Sequence, residues 1–296
     1  MAADFDAETD GYGSLIWILG AILFWIAASA LNIWLAQSPL RASRPVRIFV
    51  PLLFGLTIVV IWEALVRGLH VSPVILPAPT AIAARFSAET VTLWEDFVQT
   101  VLKGALSGYV IGCCVAFLTA IAIDRSPFLT RGLLPIGNFV AALPIVGIAP
   151  ILVSWFGFDW QSKAAVVVVM VFFPVLVNTV QGLQEASAMQ KDLMRTYAAG
   201  YWQTLLKLRL PAAMPFVFNG LKIATTLALI GAIVAEYFGS PIRGMGFRIS
   251  TGVGSLSIDL VWAEIAVAAV TGSVVYGLVA FFESRVTFWH PSQRAK

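Results

Sequence analysis

The chain has 296 residues, of which 59% are hydrophobic and only 12% charged, with a mean hydropathy of +0.87. A soluble domain usually carries about 25% charged residues, so a water-soluble globular protein is excluded. The net charge of +3 is too small to point to nucleic acid.

The two cysteines, Cys113 and Cys114, are adjacent inside an apolar run, with no disulfide framework and no metal-ligand spacing. They read as small residues in a helix. The first ten residues hold Asp4, Asp6, Glu8 and Asp10 and no base. That flank, with the long run behind it, is expected to give a retained helix and not a cleaved signal peptide, despite the Ala27-Ala28-Ser29-Ala30 stretch.

A helix crossing about 30 Å of hydrocarbon needs about 20 apolar residues. Seven stretches qualify: Leu15–Leu35, Ile48–Val66, Val101–Ile123, Gly132–Phe156, Ala164–Leu183, Ala212–Tyr237 and Val261–Phe282. The fourth holds Pro144 and Pro150 and is expected to kink. With the N-terminus outside, the inner loops 36–47, 124–131 and 184–209 and the tail from Glu283 hold twelve Lys and Arg residues. The outer loops then hold only Arg67, Arg85, Lys163, Arg243 and Arg248, as the positive-inside rule requires. The C-terminus falls in the cytoplasm.

Between the second and third spans, a turn rich in proline (Pro73, Pro77, Pro79) precedes an amphipathic stretch, Ala81 to Phe97, expected to lie along the outer surface. In the third span Gly104, Gly108 and Gly112 recur every four residues, with Ala116 next. Small residues at that spacing let two membrane helices approach closely.

The inner segment 184–209 carries the main motif. Asp192 to Thr196 reads as helix, Ala198-Ala199-Gly200 as a break turned by the glycine, and the remainder as a second helix ending at Pro211. Tyr197, Tyr201 and Trp202 surround the break and suit a membrane interface or a partner's pocket. Asp192 is expected near the start of its helix, where a negative charge is favoured. A short rigid element held between two spans is a lever that a partner can grip.

This stretch resembles the coupling motif of binding-protein-dependent ABC importer permeases: Glu-Ala-Ala, three residues, Gly, nine residues, then Ile-x-Leu-Pro. Anchored on Leu210-Pro211, Asp192 takes the Glu slot, Leu193 and Met194 the Ala slots, Ala198 the Gly slot and Leu208 the Ile slot. Flanking runs extend the likeness, among them Ala142-Leu143-Pro144-Ile145, Phe172-Phe173-Pro174, Leu210–Pro215, Gly220–Ala224, Val234-Ala235-Glu236 and Phe288–Ser292. The chain looks most like the nitrate/sulfonate/taurine class, and within it like members assigned to pyrimidine precursors or riboflavin. The resemblance covers Ile48 to the C-terminus and implies an all-α polytopic protein with the type I importer core of six spans, here with one extra N-terminal span. The implied domains are 1–47 (acidic N-terminus, extra helix and basic loop), 48–283 (permease) and 284–296 (basic tail). It implies a bacterial cytoplasmic membrane, a second permease subunit, separate ATPase subunits and a periplasmic or lipid-anchored binding protein, with no cofactor and no nucleic acid. Asp192, Leu193, Met194, Arg195, Tyr197, Ala198, Ala199 and Gly200 are the expected ATPase-coupling residues.

No Gly-x-x-x-x-Gly-Lys-Ser/Thr run is present in the sequence, so ATP hydrolysis is expected in another chain. Gly244-Met245-Gly246 reads as an outer turn. A polytopic membrane enzyme would need a clustered set of catalytic groups, and the only histidines, His70 and His290, fall on opposite sides. Co-purification of an ATPase would separate these readings from each other and from a passive channel.

Asn219, Lys222, Thr226 and Ile230 share one helix face that is a candidate lining of the translocation path. The alternative for Lys222 is snorkelling toward the cytoplasm. Glu236, at the outer end of the same helix, faces either the pore mouth or water. Asn138 and Asn178 are expected to form interhelical hydrogen bonds.

Overall fold

A computed structural model describes residues 2–126, 128, 129, 132, 144–239 and 242–289. Among them there is no strand. Six helices among the described residues are long and apolar enough to cross a membrane: Leu15–Gln37, Pro45–Gly68, Thr90–Arg125, Trp160–Gln184, Tyr201–Phe238 and Ile258–Val286. Each contains one of the spans read from the sequence. Of the remaining stretch, Gly132–Phe156, the described part is the helix Ile145–Phe156, which starts just after Pro144 and keeps Pro150 inside it. Residues 133–143, Asn138 among them, and His290 lie outside the described residues.

The chain divides into two compact units, residues 1–90 with 252–263 and residues 91–251 with 264–296. In the first, α1 (Ala2–Gln37) and α2 (Arg44–Gly68) pack together. Ala21, Ala28 and Leu35 on α1, and Thr57 and Ala64 on α2, are buried. Both sets repeat every seven residues, the spacing of a nearly antiparallel seam, and small side chains keep the backbones close. Thr57 satisfies its hydroxyl on the Leu53 carbonyl at 2.7 Å. At the far end of α2, Glu63 accepts from the Thr80 amide at 3.0 Å and the Thr80 hydroxyl at 2.7 Å. It thereby caps α3 (Pro79–Ala88), whose own N-cap, Ala78, has no side-chain acceptor.

The stretch 81–97 departs from expectation. It is not one surface helix: α3 stops at Ala88, and α4 (Thr90–Phe97) runs through a π-helical segment, Val98–Ala105, into α5 (Leu106–Arg125). Leu93 and Asp96 are buried, so α4 packs against the protein and is continuous with the spanning helix.

The second unit is organised around α7 (Trp160–Gln184), which follows α6 (Ile145–Phe156) and packs against both α5 and α10 (Leu210–Phe238). The glycine stripe of α5 is the contact line. A Cβ on Gly108 would sit 2.5 Å from Val167 Cβ, and one on Gly112 would sit 2.4 Å from Val171 Cγ2. Ala116, Val167, Val171 and Leu176 are sealed in the same core. The four-residue spacing on α5 thus meets a four-residue spacing on α7, as the sequence indicates. The last two helices are α11 (Met245–Gly254) and α12 (Ile258–Val286).

Candidate functional site: the coupling segment and its anchorage

After α7 the chain turns into α8 (Ala188–Thr196), closed at its start by a capping box between Ser187 and Gln190. The box starts the helix one turn before Asp192, which is therefore mid-helix and not at the positive end of the dipole. Asp192 instead pairs with Arg195 at 3.1 Å, fully in the open. Such an exposed pair contributes about 0.2–1 kcal/mol. No residue of α8 is buried. Met189, Leu193 and Tyr197, four residues apart and so on one side of the element, are 82%, 57% and 77% exposed.

The break that follows differs from expectation in its pivot. Gly200 has φ −70 and ψ 172 and serves as the N-cap of the next short helix, α9 (Tyr201–Thr204). The left-handed residue is Ala198, with φ 49. It is the residue in the motif's glycine slot, so the slot's chemistry is explained by geometry: the backbone there needs a conformation that costs an alanine about 1–2 kcal/mol. The Ala199 amide closes the turn on the Met194 carbonyl at 2.9 Å.

Nor does the second arm end at Pro211. α9 continues through a π-helical stretch, Leu205–Arg209, directly into α10. The Leu210 amide reaches the Leu205 carbonyl, five residues back. A proline clashes with the carbonyl four residues before it and brings no N–H. Widening the helix just before Pro211 accommodates that clash without a break.

The root of the segment is fastened by Tyr201 together with two groups that the sequence did not single out, Asp124 and Arg209. Arg209 donates from both terminal nitrogens to Asp124 at the end of α5, the Nη1 bond being 2.7 Å. Its Nε donates to the Leu183 carbonyl at the end of α7, 2.9 Å away. The Tyr201 hydroxyl donates to Asp124 Oδ2 at 3.0 Å, and the Arg125 guanidinium lies 5.5 Å from the Tyr201 ring centre. Asp124 and Arg209 are both largely shielded from solvent.

On α10, Asn219 and Thr226 are exposed on one face with Ile223 and Ile230. Asn219 Nδ2 donates to Asn178 Oδ1 at 3.0 Å, the interhelical bond expected of Asn178. Lys222 is tied to Glu283 of α12, 2.8 Å away. Glu236 faces neither water nor an open path. It is buried, accepting from the Thr100 hydroxyl at 2.6 Å and the Gly246 amide at 3.1 Å. Around it Met245 N donates to Thr100 Oγ1 at 2.8 Å and Gly244 N to Asp96 Oδ1 at 2.6 Å. Arg248 Nε meets Asp96 Oδ2 at 2.8 Å, and the buried Glu264 carboxyl lies near Asp96. Lys163, counted above as a loop cation, is also sealed in, donating to the carbonyls of Phe158 and Gly239. Gly244-Met245-Gly246, read above as an outer turn, instead runs into the start of α11 and packs closely over Glu236: a Cβ on Gly246 would stand 2.0 Å from the Ile233 carbonyl oxygen.

Among the described residues the spanning core is helical, with a capped, unburied helix slung between two spans, an arrangement that suits a transport permease driven by a partner. Comparison with known proteins agrees. Residues 108–288 match the family model described as the inner membrane component of binding-protein-dependent transport systems, and the chain belongs to that family. A probable ABC transporter permease protein of Haemophilus influenzae is 32% identical over 222 residues, 75% of this chain and 90% of the relative. The formylaminopyrimidine transport permease protein ThiX of Halalkalibacterium halodurans is 31% identical over 82% of this chain and 96% of its own length. The riboflavin transport system permease protein RibX of Chloroflexus aurantiacus is 28% identical over 79% and 88%. The chain is therefore the multi-pass permease subunit of an ABC importer, with the type I permease fold, working with ATPase and substrate-binding partners and not itself an enzyme.

Proposed function

We propose that α8 and the turn after it form the surface on which the ATPase docks, with Asp192, Leu193, Met194, Arg195, Tyr197, Ala198, Ala199 and Gly200 as the coupling residues. One observation carries this: a fully capped helix that buries none of its residues and presents Met189, Leu193 and Tyr197 along one side. Exposed aliphatic and aromatic anchors at helical spacing suit a groove on a partner. On this reading α8 lies in the cytoplasm, the N-terminus outside and the C-terminus inside a bacterial cytoplasmic membrane. The permease domain is 48–283, preceded by the 1–47 appendage and followed by the 284–296 tail. Two permease copies would stand over two ATPase subunits and below a periplasmic or lipid-anchored binding protein. Reporter fusions at Gln37 and Arg294 should both read cytoplasmic, and a periplasmic signal at either overturns the orientation. Ala198→Trp should leave ATP hydrolysis running while transport falls, because bulk is forced into a left-handed turn. Wild-type transport by that variant would remove the coupling assignment.

The cargo we propose is a small heterocycle of the pyrimidine-precursor or riboflavin type. The relatives ThiX and RibX support it, as does the open face of α10, where Asn219 and Thr226 sit among aliphatic residues and Lys222 is neutralised by Glu283. An aromatic ring with a few polar edges suits such a path. Relatives named for aliphatic sulfonates, taurine and nitrate favour the second reading, a sulfonate, taurine or nitrate cargo. The cognate binding protein, titrated with formylaminopyrimidine, riboflavin, taurine and nitrate, decides between them. Tight binding of taurine or nitrate alone would exclude the heterocycle.

A further inference from the structure

Four hydrogen bonds converge where the coupling segment meets the spans. Arg209 grips Asp124 with two nitrogens and the Leu183 carbonyl with a third. Tyr201, at the other end of the same short arm, adds its hydroxyl to Asp124. Asp124 lies in the last turn of α5, Leu183 in the last turn of α7, and Arg209 leads without interruption into α10. We propose that Asp124 is a positioning residue that locks the second arm of the coupling segment to α5, so that α5, α7 and α10 move as one body when the segment is displaced. This rests on the docking role proposed above for α8.

The physical case has two parts. A bidentate guanidinium–carboxylate pair fixes orientation as well as distance, which a single hydrogen bond does not. It is largely shielded from water, with the Arg209 and Asp124 side chains 15% and 7% exposed, so solvent does not screen it as it would a surface pair. The π-helical stretch Leu205–Arg209 lies between the two attachment points Tyr201 and Arg209. Such a stretch is the natural place for a helix to yield under load. Clamping both of its ends to one carboxylate keeps the load from being absorbed there and passes it to the spans.

The test uses the permease assembled with its ATPase in nanodiscs, with spin-labelled permease diluted by unlabelled copies. Labels go on exposed positions away from the docking anchors, one pair at Ala188 on α8 and Leu118 on α5, a reference pair at Ala188 and Leu278 on α12. On trapping with ATP and vanadate, the wild-type reference distance should change while the Ala188–Leu118 distance stays fixed. In Asp124→Ala the Ala188–Leu118 distance should shift by about 5 Å, one helical turn. The exchanged pair Asp124→Arg with Arg209→Asp should restore the fixed distance. A wild-type reference pair that does not move removes the docking role itself. A moving reference pair with Ala188–Leu118 unchanged in Asp124→Ala overturns the clamp alone. If Asp124→Ala fails to assemble with the ATPase, the exchanged pair decides. Assembly with a fixed distance supports the clamp. Assembly with a shifted distance, or no assembly, contradicts it.

Discussion

Helices α7 and α10 each carry polar groups at both ends, and the two ends are built on different principles. At one end Lys163 and Glu236 are sealed in with Asp96, Thr100 and Glu264, and their partners are largely backbone: the carbonyls of Phe158 and Gly239, the amides of Gly244 and Gly246. At the other end Asp124, Arg209 and Tyr201 bond chiefly side chain to side chain, and α8 beyond them buries nothing. A cluster that ties side chains to backbone fixes a turn in one conformation. A cluster of side-chain pairs joins separate elements that can travel together. On the docking role proposed above, the first end serves stability and the second transmission.

That contrast sets the order of expected effects. Glu236→Ala strips the acceptor from Thr100 and the Gly246 amide and leaves Lys163 in a less compensated site. It should cost about 1–3 kcal/mol for each of the two buried donors left unsatisfied and lower the amount of folded permease in the membrane, read by fluorescence-detected chromatography of detergent extracts. Gly246→Ala should act in the same direction through the clash with the Ile233 carbonyl, while Gly254→Ala, with open space around it, should be silent. A folded, wild-type-like Glu236→Ala permease would break the division of roles.

Lys222→Ala comes next. It leaves Glu283 unpaired in a largely shielded position and should cost about 1–3 kcal/mol, with the double change Lys222→Ala, Glu283→Ala recovering part of the loss. A thermal unfolding cycle over the four proteins measures the coupling. Zero coupling would reopen Lys222 as a free charge on the path.

The smallest effect is at Ala198. Replacement by glycine should stabilise by about 1 kcal/mol and leave transport per ATP unchanged, since the φ of 49 suits glycine and the chain already adopts it. A destabilised Ala198→Gly permease would mean that the left-handed turn is not the pivot.

Much of the scaffold is legible in the sequence because it follows from local pattern. Apolar length places the six spanning helices, and the Gly104, Gly108, Gly112 stripe announces the contact that α5 makes with α7. The coupling segment is legible too, through its aromatic-flanked break. Its details are not. Ser187 and Gln190 set the start of α8, Ala198 takes a conformation expected of Gly200, and a π-helical turn lets the helix run through Pro211. Each depends on how neighbouring backbone groups are satisfied, which hydrophobic periodicity does not report. The polar clusters are hidden for another reason. Thr100 and Glu236 are 136 residues apart, and Asp124 and Arg209 are 85 apart. Asp124, Arg209 and Lys163 sit where a linear reading places loop charges, and only the packed helices show that they are shielded partners.

The most direct test of the docking surface is hydrogen–deuterium exchange over residues 188–200, compared for the permease alone and for the permease with its ATPase. α8 has no tertiary cover, so its amides should exchange quickly in the free permease. The account expects strong protection of 188–200 when the ATPase is added, with Gly244–Arg248, where α11 begins, unchanged. Unaltered exchange at 188–200 in a complex that hydrolyses ATP would contradict it.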